Sequence, residues 1–132
     1  MKKIKGQIII DEGVNIWNHE LFIATGLANI GYNVRFIPNH PSACSADAFV
    51  NNTIFEFKAP EGSNIKAVER NLIKAVNRQS PNIAITSIRM KKVQDRSIIN
   101  FLTSKLKEGK GIKHLIFVKR DGIAIDINDL VR

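Results

Sequence analysis

The sequence predicts an α/β domain: a central mixed β-sheet flanked by helices, in the order helix, three strands, helix, strand. Three observations carry this. Apolar residues recur at helical spacing over 64–78 (Ile65, Val68, Leu72, Val76) and 93–106 (Ile98, Ile99, Leu102, Leu106). Short apolar runs, Val34-Arg35-Phe36-Ile37 and Ile83-Ala84-Ile85, have the length and β-branched content of strands. Turn-forming Pro, Gly and Asn residues separate these segments.

The elements follow in order. Residues 18–30 read as the first helix, with Asn18 as N-cap, Leu21, Ala24, Thr25, Leu27 and Ala28 along its apolar side, and Gly31 as its stop. The strand Val34–Ile37 ends at Pro38, and a loop rich in turn formers runs to Ser45. A hairpin then forms around Asn51-Asn52, since asparagine tolerates the positive φ that a two-residue turn needs. Pro60 to Ser63 breaks the chain before the second helix, Asn64–Arg78. After the strand Ile83–Ile85, residues 93–106 form the third helix, followed by Gly109 and Gly111. Residues 113–118 and 122–127 are expected as two closing strands around the hairpin signal Asp121-Gly122. The first fourteen residues give no clear assignment.

Composition bounds the function. At 132 residues the chain reads as one domain over 1–132, large enough to bury a core. Its formal charge of +8 favours a polyanionic partner, nucleic acid first. The single Cys44 excludes an internal disulfide and a cysteine-based zinc site. No apolar run approaches the roughly 20 residues of a membrane span, and the run after Lys2-Lys3 is too short for a signal peptide.

The hairpin carries the chemistry. Asp47 precedes its first strand, and Phe55-Glu56-Phe57-Lys58 forms its second. Alternation puts Ile54, Glu56 and Lys58 on one face while Phe55 and Phe57 anchor the other in the core. Asp47 is then expected near Glu56. Two carboxylates and an amine arranged in this way suit a divalent cation and a phosphodiester. Each residue also has a structural reading. Glu56 and Lys58 could lie on a half-solvated strand face, Asp47 could mark a turn, and Glu20 could favour the helix dipole.

This pattern resembles the PD-(D/E)XK nuclease superfamily, whose core has the order α-β-β-β-α-β. Ala46 stands where that superfamily often has proline. More narrowly, the chain is similar to the C-terminal toxin domain of CdiA contact-dependent growth-inhibition proteins, in the branch that cleaves tRNA. The similarity runs from about Asn18 to Ile85, through His19-Glu20-Leu21, Gly31-Tyr32-Asn33-Val34, Asp47 to Asn51, Phe55 to Lys58, and Arg78-Gln79 before Ile83. It implies a metal-dependent endonuclease with Glu20, Asp47, Glu56 and Lys58 as catalytic residues. Glu20, Asp47 and Glu56 would hold Mg²⁺ or Mn²⁺, and Lys58 would orient or help deprotonate the attacking water, or stabilise the phosphate. His19 and Gln79 are expected beside the site, positioning substrate or water. The resemblance also implies a larger exported parent protein, action in the cytoplasm of a target bacterium, and a cognate immunity protein. The basic charge favours an acidic one.

Lys66, Arg70, Lys74 and Arg78 recur every four residues and form a drifting basic stripe, a candidate nucleic-acid surface or a solvated helix face. Arg89, Lys91 and Lys92, before the third helix, could extend the substrate surface but read first as a solvated loop. Trp17 and Tyr32 could stack on a base but are expected to pack around the first helix. Two alternatives to an RNA nuclease stand: a DNA endonuclease of the same superfamily, of junction-resolvase or restriction type, and a non-catalytic nucleic-acid-binding or protein-binding module.

Overall fold

The computed structural model describes residues 5–38, 48–78, 80–109 and 111–131, the side chain of Arg78 excepted. The elements run β1 (Ile8–Ile9), α1 (Asn18–Asn29), β2 (Val34–Phe36), β3 (Ala48–Val50), β4 (Thr53–Lys58), α2 (Ile65–Arg78), β5 (Asn82–Thr86), α3 (Asp95–Glu108), β6 (His114–Val118), β7 (Ala124–Asp126) and α4 (Ile127–Val131). The strands form one sheet in chain order, β1 to β7. Pairing is parallel for β1–β2, β4–β5 and β5–β6, and antiparallel for β2–β3, β3–β4 and β6–β7. The expected mixed sheet and helix–strand order are therefore present.

Alternation along the strands builds two apolar layers. On one face α1 packs Ile23, Ala24 and Leu27 against Val34, Phe36, Phe55, Phe57, Ile116 and Val118. On the other, α2 and α3 set Val68, Leu72, Ile98 and Leu102 against Ile83, Ile85, Leu115 and Phe117. Gly26 lets α1 approach the sheet closely: a Cβ there would come within 2.8 Å of a Val118 methyl. Asn51 and Asn52 have φ of 48° and 67°, the paired positive angles of a tight two-residue turn. Asn51 also ties this turn to the neighbouring strand, its N–H donating to the Asn33 carbonyl while its Oδ1 accepts the Asn33 N–H, each at 2.8 Å.

Several expectations need correction. The N-cap of α1 is Trp17, and Asn18 is the first helical residue. The cap works in reverse, with the N3 carboxylate of Glu20 accepting the Trp17 N–H at 2.9 Å. The buried side of α1 centres on Ile23 and Leu27, while Leu21 is 42% exposed. The third helix begins at Asp95, two residues after Val93, and runs on to Glu108. Ile127 does not extend the last strand but opens the short helix α4, which the sequence reading lacked. β1 was also unassigned; it has two residues, too few to show a period, and is held by pairing with β2.

Candidate functional site

β4 carries the central pair. Its register sets Glu56 opposite Ile83 and Lys58 opposite Ile85, so both side chains lie on the sheet face that α2 and α3 cover further along. Phe55 and Phe57 point into the α1 layer, as alternation requires. The half-solvated reading fails for Glu56, which is 3% exposed. Its Oε1 lies 3.2 Å from Lys58 Nζ. Taking a carboxylate from water is costly unless it is paired and hydrogen-bonded. Lys58 meets part of that need and keeps a fifth of its side chain exposed. The pair is therefore anchored on one side and open to solvent on the other.

The C-terminal ends of β4 and β5 extend this site. Three residues past Lys58, Glu61 pairs with Arg89, which lies in the loop after β5. That loop is firmly held. Lys91 N–H donates to the Gly62 carbonyl at 3.0 Å, and the Arg120 guanidinium donates to the Met90 carbonyl at 3.0 Å. At its base, fully buried Ser87 donates to Asp95 Oδ1 at 2.5 Å, and Asp95 Oδ2 accepts the Arg120 N–H. The expected solvated loop is present, but Arg89 on it is ion-paired and its backbone setting is fixed. Sequence offered no signal for the Arg89–Glu61 pairing, because the two residues lie far apart in the chain.

The start of α1 reaches the same end of the sheet. His19 shares a surface cavity with Ile88 and Arg89. Its pKa is lowered, first by burial and then by the Arg89 charge, against the opposing pull of Glu20. Trp17 does not pack around the helix: it is 69% exposed and lies nearly parallel to the His19 ring. Tyr32, by contrast, is partly buried at the opposite end of the sheet.

The structure thus brings Glu56 and Lys58 into contact and sets His19 and Glu20 at the same end of the sheet. Glu20 stands on the helix that covers the other face, with one carboxylate oxygen engaged at the helix start. Asp47, Gln79 and the Arg78 side chain lie outside the described residues. No group of three or more His, Cys, Asp or Glu side chains converges among the described residues. The donors present are carboxylate oxygens, the type a hard cation takes. Lys66, Arg70 and Lys74 are exposed along α2 and make no ion pair among the described residues.

At the opposite end, Tyr32, His114 and Asp126 form a hydrogen-bonded cluster on the wall of another surface cavity. Asp126 Oδ2 accepts the Tyr32 hydroxyl at 3.2 Å and lies 2.9 Å from His114 Nε2. Its Oδ1 accepts the Asn128 N–H at 3.0 Å. The Tyr32 pKa is pushed up to about 12, chiefly by burial and then by the charge and hydrogen bond of Asp126.

Residues 44–124 match the family described as contact-dependent growth inhibition CdiA C-terminal domain. Among solved structures, the CdiA-CT/CdiI toxin and immunity complex from Burkholderia pseudomallei contains a similar chain. The TM-score is 0.69 at 18% identity, over 92% of this chain and 98% of that one. At that identity the likeness is one of fold. A search of curated proteins finds no match.

Proposed function

The chain belongs to the CdiA C-terminal toxin domain family of contact-dependent growth inhibition, and on that premise we propose that it is a metal-dependent endonuclease that cuts RNA, tRNA foremost. The observation that carries this reading is Glu56, a buried carboxylate paired with Lys58 at the open end of β4. A residue serving only solubility would not be placed there, because burial of the charge costs stability. The helix, three-strand, helix, strand order around this pair supports a PD-(D/E)XK-type core.

Glu56, with Asp47 and Glu20, would hold Mg²⁺ or Mn²⁺, which when bound draws negative charge off the scissile phosphate. The chain's own groups supply the rest. Lys58 Nζ, which lies 3.2 Å from Glu56 Oε1, would orient or help deprotonate water or donate to a phosphate oxygen. Arg89, held by its loop, adds a cation at the same end. Lys66, Arg70 and Lys74 offer charge along α2 for the flanking backbone. His19 and Gln79 would position substrate or water.

In this reading the domain is delivered as part of a larger protein, acts in the cytoplasm of a target cell, and is neutralised by an acidic immunity protein. The fold neighbour's presence in a toxin and immunity complex supports a cognate immunity protein. No helix among the described residues is long and apolar enough to cross a membrane.

The test is cleavage of total tRNA, duplex DNA and branched DNA by the protein and its Asp47→Ala variant, with Mg²⁺, with Mn²⁺ or with EDTA. Metal-dependent loss of tRNA, absent in the variant, is the expected result. Cutting of DNA alone would replace RNA by DNA as substrate. No cutting under any condition would overturn the enzyme reading.

A further inference from the structure

The cavity at the start of α1 has a composition that ion binding and folding leave unexplained. It measures about 480 Å³ and is lined by Trp17, Asn18, His19, Phe22, Ile88 and Arg89. Trp17 is the only tryptophan of the chain. Among the described residues it is also the most exposed large apolar side chain, at 69%, and Ile88 on the cavity wall is 41% exposed. Indole in water is unfavourable unless something covers it. The Trp17 and His19 rings lie 6.4 Å apart, centroid to centroid, with 14° between their planes. They therefore present parallel π faces, on which a further flat ring can continue the stack. Arg89 also lines the cavity and brings a partly exposed cation to it.

We propose that this cavity is a nucleobase subsite: an unstacked base of an RNA strand lies against Trp17 and His19, and Arg89 contacts an adjacent phosphate. The inference rests on the nuclease reading for its substrate and assigns a binding role that cleavage chemistry does not require. Apolar walls and parallel rings accept any base by its π face, and a guanidinium serves both the phosphate and the ring. The location fits the same strand. Arg89 pairs with Glu61, three residues past Lys58, and His19 adjoins Glu20. Both relations put the cavity at the end of the sheet where β4 finishes at Lys58. RNA offers such bases in loops and at ends, whereas the bases of an intact duplex are already stacked. The Arg89–Glu61 pair would give way to the phosphate on binding. Glu61 is well exposed, so its release into water costs little.

Because Trp17 is unique and exposed, it reports on its own site. The experiment titrates the protein in EDTA with a mixed-sequence single-stranded RNA and follows tryptophan fluorescence. Inorganic polyphosphate serves as a polyanion without bases. The expected result is saturable quenching by RNA and none by polyphosphate. Trp17→Ala, read by fluorescence anisotropy of labelled RNA, should weaken binding about 5- to 150-fold. Trp17→Phe should restore most of the affinity. Arg89→Gln should lower the salt dependence by about one phosphate contact. Equal quenching by RNA and polyphosphate, or unchanged affinity in Trp17→Ala, overturns the subsite. Metal-dependent cleavage without quenching overturns the subsite alone. Quenching with no cleavage in metal overturns the nuclease reading and leaves the subsite standing.

Discussion

The two ends of the parallel strands are built from similar residues to opposite effect. At the N-terminal end, Tyr32, His114 and Asp126 satisfy one another, and Asn128 ties α4 to the cluster and to β6. At the C-terminal end, Glu56 is buried against Lys58, while Trp17 and the cations of Lys58 and Arg89 face water. Both ends line a surface cavity, but the first joins its polar groups to one another, whereas the second sets an exposed aromatic ring beside its cations. A polar cluster that spends its donors and acceptors internally contributes stability and specificity of fold. One that keeps an exposed aromatic face and paired charges at its edge is prepared for a ligand.

The comparison predicts different failures. The largest effect is expected at the C-terminal end. Glu56→Gln keeps the shape and removes the charge, and should lower cleavage by at least about 100-fold. Lys58→Ala should lower cleavage to a similar extent and also lower the melting temperature, because it leaves Glu56 buried without its cation. Thermal melts alongside rate measurements separate the two effects. At the N-terminal end the pattern reverses. Asp126→Ala strips the acceptor from Tyr32, His114 and the Asn128 N–H, and should cost about 1–3 kcal/mol in denaturant unfolding with cleavage unchanged.

The basic stripe should respond more weakly. Lys66, Arg70 and Lys74 changed together to Gln should reduce the slope of log binding constant against log salt by about 2, roughly 0.7 per phosphate on a single strand. Folding should be unaffected, since all three are exposed. The smallest effect is a titration. The single tyrosine should ionise near pH 12, above its usual value near 10, as read by tyrosinate absorbance. Its folded pKa is raised, so the linked stability is fully present below about pH 10. That stability is lost as pH rises toward 12. Asp126→Asn should bring the midpoint back toward 10.

What the sequence disclosed follows from the range of the forces involved. The Asn51-Asn52 turn, the alternation of Phe55 and Phe57 with Glu56 and Lys58, and the apolar stripe of α2 are local patterns, and all are present in the fold. The mixed sheet was legible because strands and helices alternate in the chain. Other features depend on distant residues. β1 exists through its pairing with β2, and α4 through Asn128 reaching β6. Trp17 was expected to pack, as a tryptophan beside a helix usually does, but the α1 face that meets the sheet centres on Ile23 and Leu27 and leaves Trp17 outside it. Arg89 read as one cation among several in a loop. Only the contacts to Glu61, Gly62 and Arg120 give it a place.

The most direct measurement is a single comparison of tRNA cleavage, with Mg²⁺ or Mn²⁺ and with EDTA, by the parent protein, Glu56→Gln and Asp126→Asn. The account predicts metal-dependent cleavage by the parent and by Asp126→Asn, with none by Glu56→Gln. Parent-level cleavage by Glu56→Gln, or its loss in a folded Asp126→Asn, would contradict the assignment of chemistry to the C-terminal end of the sheet.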